Sequence, residues 1–307
     1  MDFISVVIPV YKSKESLPIL MEELRKVFHL SGFDYEVIMV DDCSPGGTWE
    51  ELISLKRKFH ELKIIRLVKN SGQHNAILCG FNLSRGDIVI TMDDDLQNPP
   101  SEIPKLINAI HSGYDMAIGA YDSKKHSLNR NVGGRLIDTT LRHIFHLPKK
   151  FQLTSFRAAR KSVIDNVISM GGVFPYITAM LFSHASRYVN VDVHHAQRRY
   201  GQSNYNLKRS VFLALNLLLS YSAYPLYFVA GLCLSVLGCS MFFSFFIFFK
   251  VIFQGNIVPG WASTIIFISF FNGLVLLALV IHSIYLSRLN QQITRSRVGF
   301  TVGEIHE

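Results

Sequence analysis

Ile88-Val89-Ile90-Thr91-Met92, followed by Asp93-Asp94-Asp95-Leu96-Gln97, is the passage whose reading settles the fold. Its first half is rich in β-branched side chains and predicts a buried strand. Three consecutive carboxylates then stand where that strand ends. In an open α/β sheet, ligands bind beyond the carboxyl ends of the strands. Side chains alternate along an extended backbone, so Asp93 and Asp95 point one way and Asp94 the other. Two such carboxylates, with Gln97 two residues on, offer hard oxygen ligands to Mg²⁺ or Mn²⁺. An ion of this kind takes only one or two protein carboxylates and completes its shell with water and phosphate oxygens. The plainer reading is an acidic cap for the next helix, since Asn98-Pro99-Pro100 has the form of an N-cap with prolines in the first turn. Asn98 is expected to cap, but three adjacent carboxylates ask for a cation as well. An EF-hand is excluded: its sixth position would be Asn98 instead of Gly, and its twelfth Pro104 instead of Glu.

Upstream, the same alternation of strand and helix repeats. Ile4 to Pro9 reads as a first strand, and apolar positions at helical spacing run from Leu17 to Phe28. Glu36 to Val40 is a second strand ending in Asp41-Asp42, with turn residues Ser44 to Thr48 and a helix to about His60. Ile64 to Leu67 is a third, followed by a loop at Lys69 to Gln73 and a helix to Leu83. Downstream, a helix Glu102–His111 leads to a fifth strand, Met116 to Gly119. Such an order predicts a doubly wound, mostly parallel sheet with ligands at the strand ends. Beyond it lie a basic stretch from Lys124 to Lys150 holding Arg130, Arg135 and Arg142, a helix from about Ala159 to Met170, a strand Tyr188–Val193 and a polar loop Arg198 to Ser203.

The totals sharpen this picture. In 307 residues with net charge +8, the only formally charged residue between Ser210 and Leu286 is Lys250. A soluble domain does not spare charge over such a length, so the last third is expected in a bilayer. Residues 206–225 read as an interfacial amphipathic helix and 226–287 as two transmembrane helices, about 226–249 and 264–285. The tail 288–307 and the domain 1–205 then both face the cytoplasm, because Lys208, Arg209, Arg288, Arg295 and Arg297 flank the spans. Met1-Asp2-Phe3 runs straight into a strand, so no cleavable signal peptide is expected. Four cysteines show no metal spacing, which fits a reducing compartment. With no nucleic-acid motif and no long basic run, the positive charge points to headgroups and phosphorylated substrates, not nucleic acid.

The strand ends converge: Pro9 to Glu15, Asp41 and Asp42, Asn70 to Gln73, and the aspartate cluster. A nucleotide laid along that edge would have its base held by Glu15 and Asp41 or Asp42, and its diphosphate by the metal. Here the chain resembles glycosyltransferase family 2 and its GT-A fold, more narrowly the polyprenyl-phosphate glycosyltransferases. The likeness is carried by Val7-Ile8-Pro9-Val10-Tyr11 with Glu15, Val40 to Thr48, Lys69 to Gln73 with Ala76 and Gly80, Met92 to Pro100, and Arg198-x-x-Gly201-x-Ser203-x-Tyr205. The resemblance implies an inverting, metal-dependent hexosyltransferase of the bacterial inner (plasma) membrane, moving a sugar from a nucleotide sugar to polyprenyl (undecaprenyl) phosphate for cell-envelope glycans such as O-antigen or lipopolysaccharide. By it Asp93, Asp95 and Gln97 serve the metal and diphosphate; Pro9, Tyr11, Glu15, Asp41, Asp42, Asn70, Gln73 and Asp94 line the nucleotide sugar. Arg130, Ser155, Arg157 and Ser203 meet the lipid phosphate, and Arg198 acts with Asp93 and Asp95 in catalysis. A homo-oligomer (a tetramer), a flippase and a downstream transferase are the partners it implies. Three positions differ from the family pattern: Tyr121 stands where many relatives carry Arg, Ser155 where an Asp precedes Phe-Arg, and Asn204 where a Lys is frequent. Competing readings are a transferase that elongates a lipid-linked saccharide, against which stands the absence of Gln-x-x-Arg-Trp, and a catalytically silent scaffold or flippase partner.

Overall fold

A computed structural model describes residues 2–121, 139, 142, 147–148, 151–171, 175–196, positions scattered through 227–253, then 260–294 and 299–307. Two units separate: Met1–Leu213 with Arg295–Glu307, and Ala214–Thr294. The first is built on an eight-stranded sheet whose strands, in spatial order, are Tyr188–Val193, Met116–Tyr121, Arg157–Arg160, Ile88–Thr91, Ile4–Val10, Tyr35–Asp41, Leu62–Leu67 and Val302–His306 (β7, β5, β6, β4, β1, β2, β3 and β8). Its central strands β1 (Ile4–Val10), β2 (Tyr35–Asp41), β3 (Leu62–Leu67) and β4 (Ile88–Thr91) are mutually parallel, so their carboxyl ends share one edge. Every residue of β1 is buried, as the continuous apolar run of a strand covered on both faces requires.

Helices cover those faces. α1 (Leu17–Ser31) buries Leu17, Leu20, Met21, Leu24 and Phe28, one stripe at helical spacing. α2 (Thr48–Lys58), α3 (Gln73–Leu83) and α4 (Ile103–His111) follow β2, β3 and β4. Close packing of α3 on β1 explains Gly80: a Cβ there would meet Val7 Cγ1 at 2.3 Å.

Several elements differ from expectation. Arg157–Arg160 forms strand β6, antiparallel to both β4 and β5 (Met116–Tyr121), and the helix α5 begins only at Lys161 (Lys161–Met170). Arg-Ala-Ala-Arg carries helical propensity, but Ala158 and Ala159 lie buried between two strands and the pairing overrides it. A short helix α6 (Ile177–His184) was not foreseen, whereas β7 (Tyr188–Val193) runs as expected, parallel to β5. The tail returns to the first unit: β8 (Val302–His306) pairs antiparallel with β3 at the sheet's end, and Trp49 Nε1 donates to Glu304 Oε2 at 3.3 Å.

The second unit holds α7 (Trp261–Thr294), along which Ile268, Phe270, Leu276 and Leu279 are exposed. The expected transmembrane hairpin is not shown: taking only the described residues, no helix is long and apolar enough to cross a membrane. The interfacial helix 206–225 and part of 226–249 lie outside the described residues.

Candidate active site

Parallel strands bring their exit turns together, and the antiparallel partners add to the same edge. Thr91 pairs with Arg157 and Ile118 with Arg157, so Ser155 and Tyr121 join the exits of β1 to β4; Tyr121 pairs with Val193, which adds His194 to Ala196. Pro9 fits a central strand for a local reason. Val7 C=O serves Met92 N–H and Val10 C=O serves Asp42 N–H, so Pro9 faces the side where β4 has already ended and its missing N–H costs nothing. Three non-glycine residues take positive φ among the described residues, Lys12 (59°), Cys43 (56°) and Leu96 (61°), and all three lie on these exit turns. Each such conformation costs on the order of 1–3 kcal/mol and persists where surrounding contacts enforce it.

Asp93 and Asp94 turn to different partners. Asp93 Oδ1 accepts from Gln73 Nε2 at 2.7 Å and Oδ2 from Ser155 Oγ at 2.5 Å, on the side of β6 and α3. Asp94 Oδ2 accepts from Tyr11 N–H at 3.2 Å and from Ser13 Oγ, fastening the β1 exit instead. Asp95 Oδ1 accepts from Gln97 N–H at 3.1 Å, and Gln97 C=O accepts from Ala196 N–H at 2.9 Å. Burial, then the charges of Asp93 and Asp95, push the Asp94 carboxyl up to about 7 despite its two donors. Tyr121 is likewise pushed up to about 12 by burial and by the same two carboxylates.

Asp41 and Asp42 sit deeper. Asp41 is 0% exposed; Oδ1 accepts from Ser44 N–H at 3.1 Å, while Oδ2 has no hydrogen-bond partner and lies 3.6 Å from Arg66 Nε. Asp42 accepts from Ser71 N–H at 2.6 Å and Gly72 N–H at 2.8 Å, which pins the turn that starts α3; Gly72 is needed there, since φ is 89°. Burial raises both carboxyls above their ordinary value. Tyr11, Glu15 and Asn70 are exposed at the rim.

Two expectations are corrected. Asn98 does not cap the next helix; its Oδ1 accepts from Tyr121 O–H at 2.6 Å, and the prolines begin a 3₁₀ turn, Pro100–Glu102, without a side-chain cap. Arg157, expected at the lipid phosphate, is 3% exposed, its Nε donating to Thr91 Oγ1 at 3.2 Å and Nη1 to Thr178 Oγ1 at 3.0 Å. Burial lowers its pKa to about 10. Ser155 keeps its place beside the aspartates. Arg130, Arg198 and Ser203 lie outside the described residues. Sequence reasoning passed over Ser13 and Ser44 as partners of the acids, because short polar turn residues resemble ordinary caps.

Among the described residues no group of three or more His, Cys, Asp or Glu side chains is poised around a metal. The donor types suit a hard divalent ion: Asp93, Asp95 and Gln97 carry the hard oxygens that Mg²⁺ and Mn²⁺ prefer.

Comparison with known proteins agrees with this geometry. The family model described as glycosyl transferase family 2 matches residues 5–168. An undecaprenyl-phosphate 4-deoxy-4-formamido-L-arabinose transferase of Yersinia pestis is 32% identical over 87% of this chain and 81% of its own length. One from Pseudomonas paraeruginosa is 31% identical over 99% of this chain and 90% of its own. Among solved structures, a glucosyl-3-phosphoglycerate synthase of Mycobacterium tuberculosis in complex with Mn²⁺, UDP-glucose and phosphoglyceric acid superposes with TM-score 0.52 at 19% identity, over 72% of this chain and 79% of that one. At that identity it speaks for the fold alone.

Proposed function

Because this chain belongs to glycosyltransferase family 2, we propose that it transfers a single sugar from a nucleotide sugar to undecaprenyl phosphate in a bacterial plasma membrane. The observation that carries this reading is the open sheet edge on which Asp93 and Asp95 stand braced by Gln73, Ser155 and the Gln97 amide, with the base-side acids Asp41 and Asp42 two strands away at the end of β2. The acceptor comes from the names of the relatives.

Asp93, Asp95 and Gln97 would hold Mg²⁺ or Mn²⁺, which supplies positive charge to the departing nucleoside diphosphate. The Asp41 Oδ2, buried without a donor, is the acceptor that an imide N–H of a uracil base would satisfy. Asp94 ties the β1 exit, with Tyr11, to the same turn, so nucleoside and diphosphate sites are fixed relative to each other. The attacking oxygen belongs to a phosphate monoester whose second pKa is about 6, so it is ionised near neutrality and needs no side-chain base. Ser155 suits that chemistry: its hydroxyl donates to Asp93 instead of taking a proton. Inversion at the anomeric carbon follows from a single in-line displacement. Arg130, Arg198 and Ser203 are proposed at the phosphates of acceptor and leaving group.

The membrane hairpin belongs to this proposal. It is supported by the single charge, Lys250, between Ser210 and Leu286, and by the apolar side chains that α7 leaves exposed. The domain 1–205 would then face the cytoplasm; tetramer, flippase and downstream transferase follow only from family resemblance.

Incubating the full chain with undecaprenyl phosphate and a panel of nucleotide sugars, including hexoses and UDP-4-deoxy-4-formamido-L-arabinose, and weighing the lipid by mass spectrometry tests the reading. One donor should yield a lipid heavier by one sugar. Donor hydrolysis with unmodified lipid, across the whole panel, would refute it.

A further inference from the structure

The turn that carries Asp95 and Gln97 passes through Leu96, whose φ of 61° is a conformation a leucine rarely takes. Something must hold it there. Within the turn, the Asp95 Oδ1 to Gln97 N–H bond at 3.1 Å crosses Leu96. From outside, the exit of β7 supplies Ala196 N–H to Gln97 C=O at 2.9 Å, and β5 supplies the Tyr121 hydroxyl to Asn98 Oδ1 at 2.6 Å. Asn98 is 2% exposed, so this bond is made in the interior, where a lost partner is costly.

Tyr121 is unusually well fixed for this task. Its N–H donates to Gln152 Oε1 at 2.9 Å and its C=O accepts from Gln152 Nε2 at 2.8 Å, so a side-chain amide continues the pairing where β6 has ended. Gln152 is itself held through its own N–H and C=O by the amide of Asn190 in β7, at 2.8 and 3.0 Å. The Tyr121 ring packs against His195 at 4.1 Å between centroids, and His194 N–H donates to Glu102 Oε2 at 3.2 Å. A rigid frame of β5, Gln152 and β7 thus ends in one hydroxyl aimed at the residue after Gln97.

We infer that Tyr121 is a positioning residue for the cation-binding turn: its hydroxyl, by fastening Asn98, holds Leu96 in the left-handed conformation and so fixes the turn that carries Asp95 and Gln97. The inference rests on the proposed metal role of those two residues. Partners that orient a ligand without touching the metal change affinity by about 10- to 100-fold when removed.

The test measures Mn²⁺ affinity by electron paramagnetic resonance on the full chain in detergent with saturating UDP, alongside the melting temperature. Tyr121→Phe keeps the ring and its packing, and should weaken Mn²⁺ binding about tenfold. Combining it with Asn98→Ala should cost no more than the worse of the two single changes, because both remove the same bond. A Tyr121→Phe protein that melts lower but binds Mn²⁺ as tightly as wild type would show a structural role only and overturn the inference, as would fully additive losses in the double variant. If wild type itself binds no Mn²⁺ with UDP, the metal reading fails first; if it binds and Tyr121→Phe binds equally, only the inference fails.

Discussion

The two ends of the parallel sheet both bury carboxylates and treat them in opposite ways. At the amino end, Glu36 is 3% exposed and collects Ser5 Oγ at 2.6 Å, Arg85 N–H at 2.8 Å and Lys63 Nζ at 2.9 Å. Burial works to raise its pKa, but these donors and the Lys63 charge outweigh it and leave Glu36 below its ordinary value. At the carboxyl end, Asp41, Asp42 and Asp94 all stand above theirs, one oxygen of Asp41 has no donor, and the three left-handed non-glycine residues gather. At one end the donors and a buried cation outweigh burial; at the other burial outweighs the donors, and Asp41 Oδ2 has no hydrogen-bond partner. Proteins keep such deficits where a ligand makes them good. The closed end is therefore assigned to stability and the open end to chemistry.

The largest expected effect at the open end comes from Asp95→Asn, which should lower sugar transfer at least ~10³-fold, about 4 kcal/mol, with a melting temperature near wild type. At the closed end Glu36→Gln should do the reverse. It leaves Lys63 buried without its counter-charge and should cost about 3–5 kcal/mol in chemical denaturation, with turnover per folded molecule unchanged. Its pH dependence has a definite sign. A lowered folded pKa stabilises above the ordinary carboxylate value of 4.5, and that stability is lost as pH falls through the folded value. The gap between wild type and Glu36→Gln should therefore close on acidification.

Asp94 runs in the opposite sense. Its pKa rises from 3.8 to about 7 on folding, so the protonated form favours the folded state and that advantage is lost as pH climbs through 7. Without metal, Asp94→Asn should be more stable than wild type at pH 8, by about 1–2 kcal/mol after solvent screening, and equal to it near pH 4. Asp41→Asn would place an amide N–H where Oδ2 now stands, and should raise the KM for the nucleotide sugar about tenfold, roughly 1.4 kcal/mol, without loss of stability. The smallest effect is expected at the tail. Glu304→Ala removes the acceptor of Trp49 Nε1 and should cost about 1 kcal/mol, read in the same denaturation.

Much of this contrast was legible in the sequence, because it resides in local pattern. The apolar runs of β1 to β5 followed by Asp41-Asp42 and Asp93-Asp94-Asp95 announce both the strands and the edge, and the separate aim of Asp94 follows from side-chain alternation. What was not legible depends on distant pairing. Arg157–Arg160 and Val302–His306 lack strand composition and become strands only because β4, β5 and β3 offer them partners. Asn98 reads as a cap until Tyr121, twenty-three residues on, is seen to claim it. Arg157 is placed at the lipid phosphate by family resemblance alone, which does not foresee its burial; two threonine hydroxyls in the interior take its guanidinium.

The central claim is that the open edge works by holding a cation-bound donor for a phosphorylated lipid. Its most direct test is sugar transfer to undecaprenyl phosphate by the full chain with Mn²⁺ or Mg²⁺, with EDTA, and with EDTA followed by excess metal. Product should form, vanish on chelation and return with the metal. Undiminished product in EDTA would contradict the account.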